Sequence, residues 1–355
     1  MNRKRYLLIV FFIMLNILAS NSIFELNLSE ILKGYNFAIA PAENNLFFIA
    51  DRNKQKVYVM DFSGKVSKSF GRRGEGPGEF RSIHNLLFIK EKLYVLDLSF
   101  LVHIFDKKGT FLRFIRLKHP TSNFKVLKGR IFEVVHEYKV EGKKVKVLDA
   151  IYLINEKGKV VKKIRNDNWL HKEMQTKGVP GSKNFVSWGW THPYYPDMKI
   201  EVIKNSLVYC WTATNKLTFV DENGKEIKSI KVKALPPLKL TKAEIEHFRN
   251  LNRRSPSMFI PEGKASFYDF FYDRVRKVVV FVLPPSVVES QNGYPRSYEV
   301  VVTDLNFRPI KKLKIKIKRK GWGKVVGVYD GKILLKEPDE ETDQIFLRFI
   351  DINLP

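Results

Sequence analysis

A strand-turn-strand unit recurs along this chain as VYVMDFSGKVSKSF from Val57, VHIFDKKGTFLRFI from Val102, IYLINEKGKVVKKI from Ile151 and LTFVDENGKEIKSI from Leu217. Fainter copies, VVVTDLNFRPIKKL from Val300 and a truncated LRFIDINLP from Leu347, raise the number to six. A unit of this size cannot bury its apolar face alone and must stack against its neighbours. Six such units argue for a radial array and against a single open sheet.

Each unit has an apolar strand, then Asp or Asn, two turn residues, usually Gly-Lys, and a lysine-bearing strand, which is a hairpin signature. Asp61, Asp106, Asn155, Asp221, Asp304 and Asp351 hold one place in the copies, where a short acceptor can bond turn amides. Gly64, Gly109, Gly158 and Gly224 supply the positive φ that the turn requires. Phe307 stands where the fifth copy should have glycine, so that turn is expected to differ. Two further apolar segments precede the hairpin in most repeats, as NFAIA and LFFIAD precede the first. Four strands per repeat is the blade of a β-propeller, so the fold class expected is all-β, a six-bladed β-propeller of four-stranded antiparallel blades.

The repeat starts lie 45, 49, 66, 83 and 47 residues apart, so two intervals carry insertions, at about 166–197 and 234–266. The last copy ends after its third strand at Pro355, while IFELNLSEI from Ile23 has no blade of its own. This N-terminal strand is therefore expected to complete the last blade and close the ring. In the second insertion, Thr241 and Glu244 are spaced as a capping box for one short helix. Its Ile245, Phe248 and Leu251 recur at helical spacing, an apolar side suited to covering a propeller edge or part of the mouth. In KLKIKIK, Lys312 to Lys318, lysines alternate with Leu313, Ile315 and Ile317, a strand with one wet face whose charges discourage edge pairing.

Arg3, Lys4 and Arg5, about 14 mostly apolar residues from Tyr6 to Ala19, and then Ser20, Asn21 and Ser22 have the layout of a secretory signal peptide. The expected organisation is a leader over 1–22 and a propeller over 23–355, in a periplasmic or extracellular location. The single cysteine, Cys210, rules out an intramolecular disulfide and sits in the apolar run SLVYCW as a buried small residue. With 63 Lys and Arg against 37 Asp and Glu, the chain carries +26, of which the leader accounts for three. Such a surface attracts polyanions. An exported protein seldom meets nucleic acid, so the partners expected are a protein, a peptide or an anionic glycan. Membrane contact is expected only through an uncleaved leader or the basic surface, and the chain is expected to be a monomer.

GRRGEGPGEF, Gly71 to Phe80, follows the last strand of the first blade and resembles the glycine-rich linker of NHL-like six-bladed propellers, a pattern common in exported bacterial propeller proteins. The resemblance implies a tight crossover from the outside of one blade to the centre of the next, with Phe80 plugging the wedge between them. The segment lacks the Gly-Lys-Ser/Thr ending of a phosphate loop and introduces a strand, not a helix.

In a propeller the blade-to-blade crossovers and the loops between second and third strands share one face, around the channel mouth. Both insertions reach that face. The first holds Trp188, Trp190, His192, Tyr194 and Tyr195, rigid aromatics suited to sugar rings, peptides or protein partners. Arg72 and Arg73 of the crossover, and Tyr294 and Arg296 of a loop in the fifth blade, complete the ligand-binding residues expected. No nucleophile motif is present, and the seven histidines show no metal-ligand spacing. Asp51 and Asp97 end the second strands of neighbouring blades and are read either as turning toward the mouth or as structural turn residues. The function expected is a non-catalytic ligand- or protein-binding module without a cofactor. The alternative is a propeller hydrolase or lyase with Ca or Zn at the channel mouth.

Overall fold

The computed structural model describes residues 23–43, 45–119, 121–141, 144–165, 170–175, 197–235, 239–254, 265–285 and 295–354. After β1 (Ile23–Asn27), blade 1 comprises β2 (Phe37–Pro41), β3 (Leu46–Asp51), β4 (Lys56–Asp61) and β5 (Val66–Phe70). Blade 2 comprises β6 (Ile83–Ile89), β7 (Lys92–Asp97), β8 (Leu101–Asp106) and β9 (Phe111–Arg116). Blade 3 has β10 (Thr121–Leu127), β11 (Arg130–Glu141), β12 (Lys144–Ile154), β13 (Val160–Arg165) and a fifth strand, β14 (Leu170–Gln175). Blade 4 runs β15 (Met198–Ile203), β16 (Ser206–Trp211), β17 (Lys216–Val220) and β18 (Glu226–Lys231). After α1 (Lys242–Arg254), blade 5 runs β19 (Asp269–Asp273), β20 (Val278–Val282), β21 (Ser297–Thr303) and β22 (Pro309–Lys316). Blade 6 takes β23 (Lys324–Tyr329), β24 (Lys332–Asp339) and β25 (Gln344–Asp351) from the C-terminal end, and β1 is its fourth strand.

The expected closure is thus present: β1 pairs antiparallel with β25 from Ile23↔Ile350 to Asn27↔Phe346. The innermost strands β2, β6, β10, β15, β19 and β23 each lie against both neighbours, completing the ring. Six apolar clusters occupy the six wedges between adjacent blades. This is why middle strands such as VVVFV of β20 are buried along their whole length, whereas the outer strands β5, β9, β18 and β22 are largely exposed. The lysines of β22 point to solvent from the outermost strand of blade 5 while Ile315 packs inward. Cys210 is buried in β16.

The outer hairpin turns owe their shape to one side chain. Asp61 Oδ1 accepts from the amides of Ser63 (2.8 Å) and Lys65 (3.0 Å), and Asp106, Asn155, Asp221 and Asp304 repeat the pattern. Asp351, expected to share the role, pairs with Lys332 at 3.2 Å, because no hairpin turn follows β25. The Phe307 turn does not differ. Phe307 takes φ 61°, its amide donates to Asp304 O at 3.1 Å, and Asp304 N donates to Arg308 O at 3.0 Å, as in the glycine copies. The ring is buried against Phe219 of blade 4 and Phe281, so wedge packing offsets the roughly 1–2 kcal/mol cost of left-handed backbone. Phe307→Gly, which relieves the backbone but empties the wedge, is expected to lower stability by about 2–3 kcal/mol in urea unfolding; a stabilised variant would overturn this account.

Two features depart from the expectation. The hairpin of β11 and β12 extends to Glu141 and Lys144, and β14, the start of the first insertion, pairs with β12 from Lys144↔Gln175 to Leu148↔Leu170. Blade 3 therefore carries a three-stranded extension on the crossover face. It was hidden in the repeat count because the crossover into blade 3 is only the few residues between Arg116 and Thr121, against the long one between Phe70 and Ile83. The helix is capped as expected, with Glu244 N donating to Thr241 Oγ1 at 3.2 Å and Thr241 N to Glu244 Oε2 at 2.8 Å. The side chains of Phe248 and Leu251 lie outside the described residues.

Candidate functional site

The crossover GRRGEGPGEF is built around its own glutamate. Glu79 Oε2 accepts from the amides of Gly76 (2.9 Å) and Glu75 (3.1 Å), and Oε1 from Arg72 Nε (2.7 Å). A Cβ on Gly74 would lie 2.1 Å from Glu79 Oε2, so only glycine leaves room for the carboxylate. The backbone donors and Arg72 lower the Glu79 pKa. The Glu75 and Gly76 amides of this glycine-rich loop are therefore occupied by its own carboxylate. Phe80 is wholly buried in the wedge between blades 1 and 2, the plug that the resemblance implied.

Asp51 and Asp97 turn away from ligand duty. Asp51 accepts from the amides of Asn53, Lys54 and Lys33, and Asp97 from those of Ser99, Arg81 and Ser82. Each carboxylate ties the loop after the second strand to the incoming crossover.

Of the ligand-binding residues expected, Arg72 is held by Glu79, Arg73 is exposed beside it, and Arg296 is exposed ahead of β21 in blade 5. Blade 5 lies across the ring from blade 2, so the fold does not bring Arg296 to Arg72 and Arg73. Trp188, Trp190, His192, Tyr194, Tyr195 and Tyr294 lie outside the described residues.

What does converge at the mouth is cationic. Arg52, on the turn after β3, donates to Asn36 Oδ1 at 2.9 Å and to the His84 carbonyl of blade 2, and its Nε has no partner among the described residues. Lys336, on β24, donates to the Tyr35 carbonyl and lies 4.3 Å from the Phe37 ring centroid. Lys324 opens β23 with its Nζ 5.8 Å from the Tyr268 ring centroid. No carboxylate pairs with Arg52, Lys324 or Lys336 among the described residues. Burial first, and then the charges of Arg52 and Lys324, push the Lys336 amine down to about 7. Burial likewise lowers the Arg52 pKa. Across Tyr268 the balance reverses: Lys199, 5.7 Å from the same ring, is bonded to Asp197 at 2.7 Å. Burial opposes the Lys199 charge, but Asp197 and Asp269 outweigh it and hold the pKa well above the usual lysine value. The mouth is neutralised on the blade 4–5 side and left positive where blades 6 and 1 meet.

Three histidines face acids in separate places. His103 Nε2 is 4.0 Å from Asp97, His119 Nδ1 is 3.2 Å from Glu133 Oε1, and His136 Nδ1 is 2.5 Å from Asp149 Oδ1. Burial pushes the Glu133 carboxyl up to about 8, its Oε2 has no hydrogen-bond partner among the described residues, and His119 stacks on Tyr152 with centroids 4.7 Å apart. The Tyr152 hydroxyl donates to Glu137, which Lys163 also holds at 2.7 Å. Asp149 also accepts from Met198 N at 3.2 Å, so the His136 pair joins blade 3 to blade 4. Among the described residues no group of three or more His, Cys, Asp or Glu is placed to hold a metal ion.

Residues 39–126 match a family model described as a 6-bladed beta-propeller. Among solved structures, the fold is similar to that of a Bacteroides fragilis protein named as a candidate exported protein, at TM-score 0.56 and 13% identity over 94% of this chain and 96% of that one. A member of the DUF4221 family from Bacteroides vulgatus aligns at TM-score 0.49 and 10% identity, covering 93% of this chain and 99% of that one. A catalytically inactive virginiamycin B lyase from Staphylococcus aureus, solved with quinupristin, aligns at TM-score 0.46 and 14% identity, again covering 93% and 99%. No curated protein matches the sequence. The chain is a six-bladed β-propeller of four-stranded antiparallel sheets with one short helix among the described residues.

Proposed function

We propose that this protein is an exported, NHL-like propeller that acts as a non-catalytic binding module, its channel mouth taking an anionic ligand of the glycan class. The observation that carries the reading is the convergence of Arg52, Lys324 and Lys336 without a carboxylate partner among the described residues. Partly desolvated cations that repel one another are relieved by an anion, and relief of this kind is absent on a solvated lysine-rich surface. The basic leader followed by an apolar run supports export, and the GRRGEGPGEF crossover supports the NHL-like assignment. Tyr35, Phe37 and Tyr268, beside these cations, add ring faces that suit a sugar.

Calorimetric titration with tetragalacturonate, a carboxylated oligosaccharide, tests the reading. Arg52→Met and Lys336→Met are each expected to weaken binding about tenfold or more, roughly 1.4 kcal/mol. Replacing Lys312, Lys314 and Lys316 by Gln on the outer edge of blade 5 is expected to leave binding unchanged. Equal losses from both sets would instead indicate diffuse attachment to any anionic surface. The pH dependence has a definite sign. A bound anion raises the depressed Lys336 pKa, so binding takes up protons and tightens as pH falls from about 8 toward about 6, levelling off below the free value of about 7. Affinity that is flat across that range would remove Lys336 from the site.

A further inference from the structure

A pocket lies beneath the crossover between blades 1 and 2, lined by residues other than Arg52, Lys324 and Lys336. It is a cavity of about 130 Å³ whose wall includes Ser99, Leu101 and His103 of blade 2 and Arg116 at the end of β9. His103 is 2% exposed, and neither ring nitrogen has a hydrogen-bond partner among the described residues, Asp97 being too far at 4.0 Å. Burial lowers the imidazole pKa, so the ring is neutral and presents one N–H and one lone pair. Ser99 Oγ is likewise buried and has no partner among the described residues. The Arg116 side chain has neither an ion pair nor a hydrogen bond among the described residues.

The acids in the same wall are already committed. Asp97 accepts three amides, Glu79 holds its own loop and Arg72, and Glu75 pairs with Arg81 at 2.5 Å. The unused capacity of the pocket is therefore mainly that of donors: a guanidinium, a hydroxyl and an imidazole N–H. A buried polar group left without a partner is costly, and the Ser99 hydroxyl and the His103 imidazole, both buried at this cavity beside the exposed Arg116 guanidinium, mark a site that a ligand completes. The ligand must be rich in acceptors and small. Three carboxylates nearby repel a dianion more strongly than a monoanion, which disfavours phosphate. Leu101 offers an apolar wall to a short carbon chain. We infer that the cavity between the crossover and blade 2 is a binding site for a small aliphatic monocarboxylate, held by Arg116, Ser99 and His103. It is independent of the anionic ligand proposed for the mouth.

The test is a titration of the full chain, carrying ¹³C-labelled histidine, with sodium acetate, followed by imidazole NMR with His103 assigned through His103→Gln. A saturable displacement of the His103 resonance is expected with acetate and not with chloride or inorganic phosphate at equal ionic strength. Arg116→Met, a change at an exposed side chain, is expected to weaken the acetate response about tenfold or more, as is Ser99→Ala to a smaller degree. Arg52→Met and Lys336→Met are expected to leave it intact. No saturable response to acetate, an equal response to phosphate, or a response that survives Arg116→Met overturns the assignment.

Discussion

A chain that starts at Leu32 is expected to lose cooperative unfolding altogether. Residues 23–31 contribute the strand that pairs with β25, and beyond it Leu28 N donates to Ile345 O at 2.8 Å and Ile345 N to Ser29 Oγ at 2.9 Å. Leu26 and Leu28 are buried in the wedge between blades 6 and 1. Glu25 receives a bidentate ion pair from Arg319 at 2.9 and 2.5 Å. Two leucines at about 1.5–3 kcal/mol each, five strand pairings and a bidentate pair together rival the roughly 5–15 kcal/mol by which a domain is stable. The loss is not confined to one edge, because an open ring leaves the wedge between blades 6 and 1 wet and the outer edge of β25 unpaired. Circular dichroism melting should show a broad, low-temperature transition, and a synthetic peptide of residues 23–31 added in trans should restore a sharp one. A truncated protein that melts like the parent would show that the ring does not depend on this strand.

Glu337→Ala is expected to destabilise the protein by about 3–5 kcal/mol, the range for removing one partner of a buried pair. Glu337 is fully buried on β24 and accepts both contacts of Arg348 Nη1, at 2.7 and 2.8 Å, together with Lys318 N at 2.7 Å and Arg319 Nη1 at 3.3 Å. Arg348, 2% exposed, keeps only the Lys316 carbonyl at 3.1 Å once Glu337 is gone. Replacing both partners, as Glu337→Leu with Arg348→Met, should recover most of the loss, since apolar isosteres need no compensation. Urea unfolding measures both; a Glu337→Ala cost under about 1 kcal/mol would mean that water reaches the site. Arg319 bridges Glu25 and Glu337, so this substitution and the truncation share a partner and their effects should not add.

The frame of this fold is written locally, which is why so much of it can be read from the chain. An Asp two and four residues before its amide donors, a Gly at the left-handed position and a Thr three residues before Glu244 each act within one turn. Even the closing strand declares itself, through an unpartnered strand at one end and a blade lacking its fourth strand at the other. The extended hairpin of blade 3 did not, because a short crossover cancelled its extra length. Phe307 misled for a different reason: its local cost is visible in the sequence, while the blade 4 ring that offsets it is nearly ninety positions away. The mouth was the least legible part. Arg52, Lys324 and Lys336 are three among 63 basic residues, brought together only by ring closure, and what singles them out is the lack of a carboxylate partner among the described residues. The pocket at His103 has the same origin, in a crossover glutamate that looks free in the sequence but is consumed by its own loop.

The strand at Ile23 is made first and finds its partner at Ile350 last. During synthesis, blades 1 to 5 can stack in order while the N-terminal strand waits for more than three hundred residues to follow it, so the closing step has the longest loop of any in the fold. The protein is thus built like a clasp whose hook emerges before the band. Moving residues 23–31 behind Pro355 in a circular permutant would make that last step local, and such a chain should reach the same ring faster.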